Sequence, residues 1–72
     1  MQQVVFPNLT YALVERKISY AQLAAAVGMS KSSMYRRLSG KSDWKLHEIV
    51  NICQYLNIDD AVELFLRLDT KI

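Results

Sequence analysis

Apolar residues recur along this chain at spacings of three and four, and no stretch alternates convincingly with period two, so the pattern predicts helices throughout. The only breakers, two glycines and one proline, sit at the boundaries of the apolar segments. A first helix is predicted from Pro7 to about Lys17, with proline in the first turn, where its missing N–H would lack a partner anyway. Phe6, Leu9 and Leu13 share one side of it, and Ile18 closes the segment. Ser19 opens a second helix: its hydroxyl can cap the N–H three residues on, Gln22 can reach back, and Ile18 and Leu23 flank this capping box as a hydrophobic staple. Leu23, Ala24 and Val27 form its inner face, and Gly28 ends it as a left-handed cap.

Ser30 starts a third helix, with Met29 and Met34 as a second staple, running to about Leu38 and stopping at Gly40. A fourth spans about Lys45 to Leu56, with Leu46, Ile49, Ile52, Cys53 and Leu56 on its inner stripe and Asn57 ending it. Its cap is open between Asp43, the better capping residue, and Lys45, the only choice that makes Trp44 and Ile49 a staple pair. Asp59 is expected to cap a fifth helix reaching about Leu68, with Asp60 placed against its dipole.

With 72 residues, 51% hydrophobic and 22% charged, the chain is expected to be a single domain spanning 1–72, too apolar for disorder. No apolar run approaches the roughly 18 residues a membrane span needs. The stretch Met1 to Pro7 lacks the basic start, apolar middle and cleavage site of a secretory signal. One cysteine and one histidine exclude an internal disulfide and a closed zinc site built from these residues alone. No nucleophile–base pair, paired carboxylates or phosphate-binding glycine loop is present, so neither catalysis nor a cofactor, metal or small-molecule substrate is expected.

The charge is unevenly spread. Lys31, Arg36, Arg37, Lys41 and Lys45 stand against Asp43 alone, giving residues 31–45 a net +4, whereas residues 46–72 carry −3. Such a segment is a candidate footprint for a polyanion. It begins directly after a sharp turn. Helices two and three are joined by Gly28-Met29-Ser30 only, so they should cross steeply, as in a helix-turn-helix.

Here the sequence resembles the phage repressor and Cro-type (XRE-like) helix-turn-helix regulators. The resemblance is carried by Gln22 to Met34, by Arg36-Arg37-Leu38-Ser39-Gly40-Lys41, and by Trp44 with Leu46 through Leu56, and it covers residues 8 to about 65. It implies an all-α, five-helix lambda repressor-like DNA-binding domain. Three positions depart from the family. The glutamine its repressors often place at the start of helix two is Tyr20, and the common glutamines opening helix three are Lys31 and Ser32.

The residues support the same use. With Met34 and Leu38 inward, Ser32 and Arg36 point outward from helix three, Ser33 and Tyr35 lie on its flanks, and Lys31 sits in its first turn. Laid N-terminus first into a major groove, this helix would offer Lys31, Ser32, Ser33 and Arg36 to base edges, Arg36 being the best discriminator because its fork matches guanine. Ser19, Tyr20, Tyr35, Arg37, Lys41 and Lys45 would hold phosphates or flank the contact. Cys53, Trp44, Met29 and Met34 read as packing residues, and His47 as an exposed residue without a role.

The fifth segment, Ala61 to Leu68, is apolar on more than one stripe. Phe65 is expected in the core, leaving Val62, Leu64, Leu66 and Leu68 as a two-fold dimer interface. The leading expectation is a sequence-specific, Cro-like DNA-binding regulator of phage or prophage origin. It would act as a homodimer on an operator in the bacterial cytoplasm, without a sensor domain, and nucleoid-associated when bound. The alternative is an antirepressor of the same fold that binds another phage repressor rather than DNA.

Overall fold

A computed structural model describes residues 4–68; Met1–Gln3 and Asp69–Ile72 lie outside the described residues. The elements are α1 (Pro7–Glu15), α2 (Tyr20–Ala26), α3 (Lys31–Leu38), α4 (Leu46–Leu56) and α5 (Ala61–Leu64), all of them helical. None of them is long and apolar enough to cross a membrane.

The helix ends follow the local chemistry of the sequence. At α2 the Ser19 hydroxyl accepts from the Gln22 N–H at 3.0 Å, and the Ser19 N–H donates to Gln22 Oε1 at 2.7 Å, completing the capping box. Ser30 caps α3 in the same way, accepting from the Ser33 N–H at 3.1 Å. Four helices stop by one device, a left-handed residue at Lys17, Gly28, Gly40 or Asn57. In each case the next N–H reaches back to the carbonyl five residues earlier: Ile18 to Leu13, Met29 to Ala24, Lys41 to Arg36 and Ile58 to Cys53, at 2.8–3.0 Å.

Only glycine enters that conformation without cost, so Gly28→Ala and Gly40→Ala should each lose about 1–2 kcal/mol of stability. The sites differ in space, however. A Cβ at Gly28 meets nothing within 4 Å, whereas one at Gly40 falls 2.7 Å from the Arg67 guanidinium and 3.3 Å from Val5. Chemical denaturation should therefore find Gly40→Ala the more costly of the two.

The core lies where the helices converge. Leu9, Leu13, Leu23, Met34 and Ile52 are sealed from solvent, with Val5, Phe6, Ala12, Ala24, Leu38, Cys53, Leu56 and Leu64 around them. Phe6, Trp44 and Phe65 meet edge to face at 5.1–6.5 Å and close one end. Cys53 is a free, buried thiol whose pKa burial raises, in keeping with packing rather than reactivity.

Three expectations change. Leu46, placed on the inner stripe of α4, is 77% exposed, and Glu48 is buried in that helix instead. Asp60 rather than Asp59 caps α5, its carboxylate accepting from the Glu63 N–H at 3.0 Å. The fifth helix ends at Leu64 instead of reaching Leu68. Beyond it, the Leu68 N–H donates to the Val5 carbonyl at 2.8 Å and the Arg67 guanidinium lies 5.5 Å from the Phe6 ring. These tertiary contacts hold the segment against the N-terminal strand of chain and displace further helical turns.

Candidate nucleic-acid interface

The turn Gly28-Met29-Ser30 fixes how α2 delivers α3. Gly28 supplies the left-handed bend at φ +70°, Met29 is half-buried against the core, and Ser30 begins the next helix at once. Ala24, buried where α2 meets α3, lets the helices approach closely. The consequence is a two-sided α3. Met34 and Leu38 are buried, while Lys31, Ser32, Tyr35 and Arg36 are exposed on the other side. Ser33 is half-buried, and its hydroxyl accepts from the Ser30 hydroxyl at 3.0 Å, so the cap already engages it.

Around this ridge, Lys41 is exposed in the turn after α3, and Lys45 is exposed at the start of α4. Among the described residues, Lys31, Arg36, Lys41 and Lys45 make no ion pair. Ser19 is exposed at the head of α2, beside Tyr20, whose ring meets Tyr35 edge to face at 5.5 Å. The two tyrosines thus brace the start of α2 against the flank of α3. Tyr20, Tyr35, Arg36 and Lys41 thus line one stretch of surface, Ser19 and Lys45 are exposed at the heads of α2 and α4, and the set has one clear exception.

That exception is Arg37. Instead of facing outward for a phosphate, its guanidinium turns in to Glu48: Nε donates to Oε1 at 2.9 Å and Nη2 to Oε2 at 3.1 Å. Oε1 also accepts from the Lys45 N–H at 2.9 Å, which settles Lys45 as the cap position of α4 and Trp44 and Ile49 as its flanking apolar pair. The hydrogen bond from Arg37 holds the Glu48 carboxyl below its ordinary pKa against the opposing effect of burial, and the same bond raises that of Arg37. A carboxylate in nearly dry surroundings needs such a partner, and Arg37 is the one within reach. Arg37 is consequently a strut between the end of α3 and the start of α4, and it is withdrawn from the phosphate-contacting set.

Glu48 itself was not anticipated. A signal for it existed: it lies four residues before Ile52 and eight before Leu56, on the buried stripe, and three after the cap. An acid in that register calls for a cation within reach.

The proposed dimer residues separate as well. Val62, Leu66 and Leu68 are 78%, 48% and 60% exposed, but Leu64 is only 4% exposed and belongs to the core. Leu64 is thereby removed from the interface: with the helix ending there, its side chain completes the packing under α1, α4 and α5. Phe65, expected inside, is half-buried beside Phe6 and Trp44.

Comparison with known proteins gives an independent result. Neither the curated proteins nor the solved structures contain a match to this chain. A family model of the Cro/C1-type HTH DNA-binding domain matches residues 8–64, which takes in every helix from α2 to α5 and all but the first residue of α1. With nearly the whole described fold inside that match, and with the buried Met34–Leu38 seam and exposed Arg36 ridge arranged about the tight turn, the chain belongs to the Cro/C1-type helix-turn-helix DNA-binding family.

Proposed function

We propose that this protein is a sequence-specific transcription regulator, a small Cro-like repressor of phage or prophage origin that inserts α3 into the major groove of an operator. The observation that carries the reading is the exposed cationic side of α3, Lys31, Ser32 and Arg36, set opposite a sealed apolar seam and at the head of a capped helix. Arg36 reads a guanine through its two acceptor atoms, and Lys31 and Ser32 address neighbouring base edges. Ser33 takes a lesser part because the cap holds its hydroxyl. Ser19, Tyr20, Tyr35, Lys41 and Lys45 contact the backbone on either side.

The protein acts as a homodimer. Val62, Leu66 and Leu68 supply exposed apolar side chains in and just after α5, and a two-fold axis there would set two α3 helices about one DNA turn, roughly 34 Å, apart. Sedimentation should find dimers at micromolar concentration, and Val62→Asp with Leu68→Asp should give monomers.

The decisive experiment is salt dependence. Duplexes selected from a random pool are titrated with protein by fluorescence anisotropy over a range of salt concentrations. Each phosphate neutralised contributes about −0.9 to the slope of log Kobs against log salt. Lys41→Ala and Lys45→Ala should each make that slope shallower by about 0.9, without changing which sequences are preferred. Absence of any salt-dependent binding would reject the reading, and co-purification with a second regulator would then favour the antirepressor alternative.

A further inference from the structure

Beside the DNA-facing ridge lies a groove of about 600 Å³ that shares Tyr20, Tyr35, Arg36 and Lys41 with the proposed DNA contact but extends beyond it to Val4, Val5 and Thr10. Its walls come from separate parts of the chain: Val4 and Val5 from the N-terminal segment, Thr10 from α1, and Tyr35, Arg36 and Lys41 from α3 and the turn after it. The chemistry is mixed in an ordered way. Val4 is 45% exposed and Tyr35 49%, so apolar surface is open to solvent along it, while Arg36 and Lys41 stand at its edge. No acidic residue lines the groove, and neither cation is paired among the described residues.

We propose that this groove docks an acidic protein segment carrying one or two apolar side chains, and that its occupation withdraws Arg36 from DNA. The competition part rests on the DNA-binding reading above; the docking part does not. Charge complementarity selects an anion, since both charged groups at the edge are cationic. The apolar surface selects against the sugar–phosphate backbone, which is held by polar donors and gains nothing from valine. An acidic segment with leucine or phenylalanine satisfies both, its carboxylates on Arg36 and Lys41 and its apolar side chain over Val4. Because Arg36 belongs to both surfaces, one protein cannot present it to both at once.

The test uses a fluorescein-labelled nine-residue peptide of alternating aspartate and leucine, titrated with the full chain by anisotropy. A matched peptide with serine for leucine is the control, and Val4→Gln is the variant, chosen because Val4 is exposed and outside the proposed DNA contacts. The leucine peptide should bind at least tenfold more tightly than the serine peptide. Val4→Gln should weaken it fivefold or more while changing affinity for the selected duplex less than twofold, and unlabelled duplex should displace it. Equal binding of the two peptides would overturn the proposal, reducing the effect to bulk charge. So would an equal loss of DNA affinity in Val4→Gln, which would assign the groove to DNA, or self-association through the groove that Val4→Gln abolishes, which would make the occupant a second copy. Should the protein bind the leucine peptide with the expected Val4 dependence yet bind no duplex, the docking site stands and the DNA reading alone fails.

Discussion

Glu48→Ala should lower the free energy of unfolding by about 1.5–3 kcal/mol, because it leaves the partly buried Arg37 guanidinium without its partner. The side chains of Arg37 and Glu48 are only 13% and 9% exposed, so water cannot easily replace the missing carboxylate. The same change removes the acceptor of the Lys45 N–H and with it the start of α4. In a domain of this size each kcal/mol moves Tm by about 4–8 °C, so a fall of at least 6 °C or so is expected by calorimetry. The exposed pair Arg16–Glu15, at 3.5 Å, is the control: Glu15→Ala should cost well under 1 kcal/mol. Replacing both partners together, Arg37→Met with Glu48→Leu, should recover part of that loss, since the desolvation cost disappears with the charges while the Lys45 N–H still lacks its acceptor.

The pair also sets the acid limit of the fold. The Glu48 carboxyl has its pKa lowered in the folded state, chiefly by the hydrogen bond from Arg37. A lowered folded pKa means the unfolded chain takes up the proton first as acid is added, so the contribution is complete above the unfolded value of about 4.3. It is lost as pH falls through the depressed folded value. Denaturation midpoints of wild type and Glu48→Gln should therefore differ at pH 7 and begin to converge only once the pH falls below the unfolded value of about 4.3.

The second large effect concerns Arg36. Arg36→Ala should weaken binding to the preferred duplex by about 1–3 kcal/mol, or roughly 5- to 150-fold, and should flatten preference at one base pair. The side chain is exposed and makes no ion pair among the described residues, so stability should stay within about 0.5 kcal/mol of wild type. Arg36→Lys separates its two contributions. The charge remains, so salt dependence should be retained, but the planar fork is gone, and the base preference should go with it. Affinities of the three proteins for the preferred duplex and its single-base-pair variants decide the matter.

Much of this was legible in the residues. Ser19 with Gln22, Ser30, Gly28 and Gly40 are local signals that act within one helical turn, and each operates as the sequence suggests. The split of α3 into Met34–Leu38 and Ser32–Arg36 sides follows from helical geometry alone. What local patterning could not supply were decisions made across the chain. Arg37 reads as one more surface cation until Glu48, eleven residues on, is seen to be buried beneath it. The run from Val62 to Leu68 contains no glycine, proline or asparagine to stop a helix, and it stops because Arg67 and Leu68 find Phe6 and Val5. Leu64 is drawn into the core for the same reason, reducing the apolar patch to Val62, Leu66 and Leu68.

Amide chemical-shift mapping with a selected duplex tests most directly whether α3 is the surface that meets nucleic acid. The largest changes should fall on Lys31, Ser32 and Arg36, with smaller ones at Ser19, Tyr20, Lys41 and Lys45 and none at Glu48 or Ile52. Changes centred on Leu46, Val50 and Val62 instead, with Lys31 to Arg36 undisturbed at saturating DNA, would contradict it.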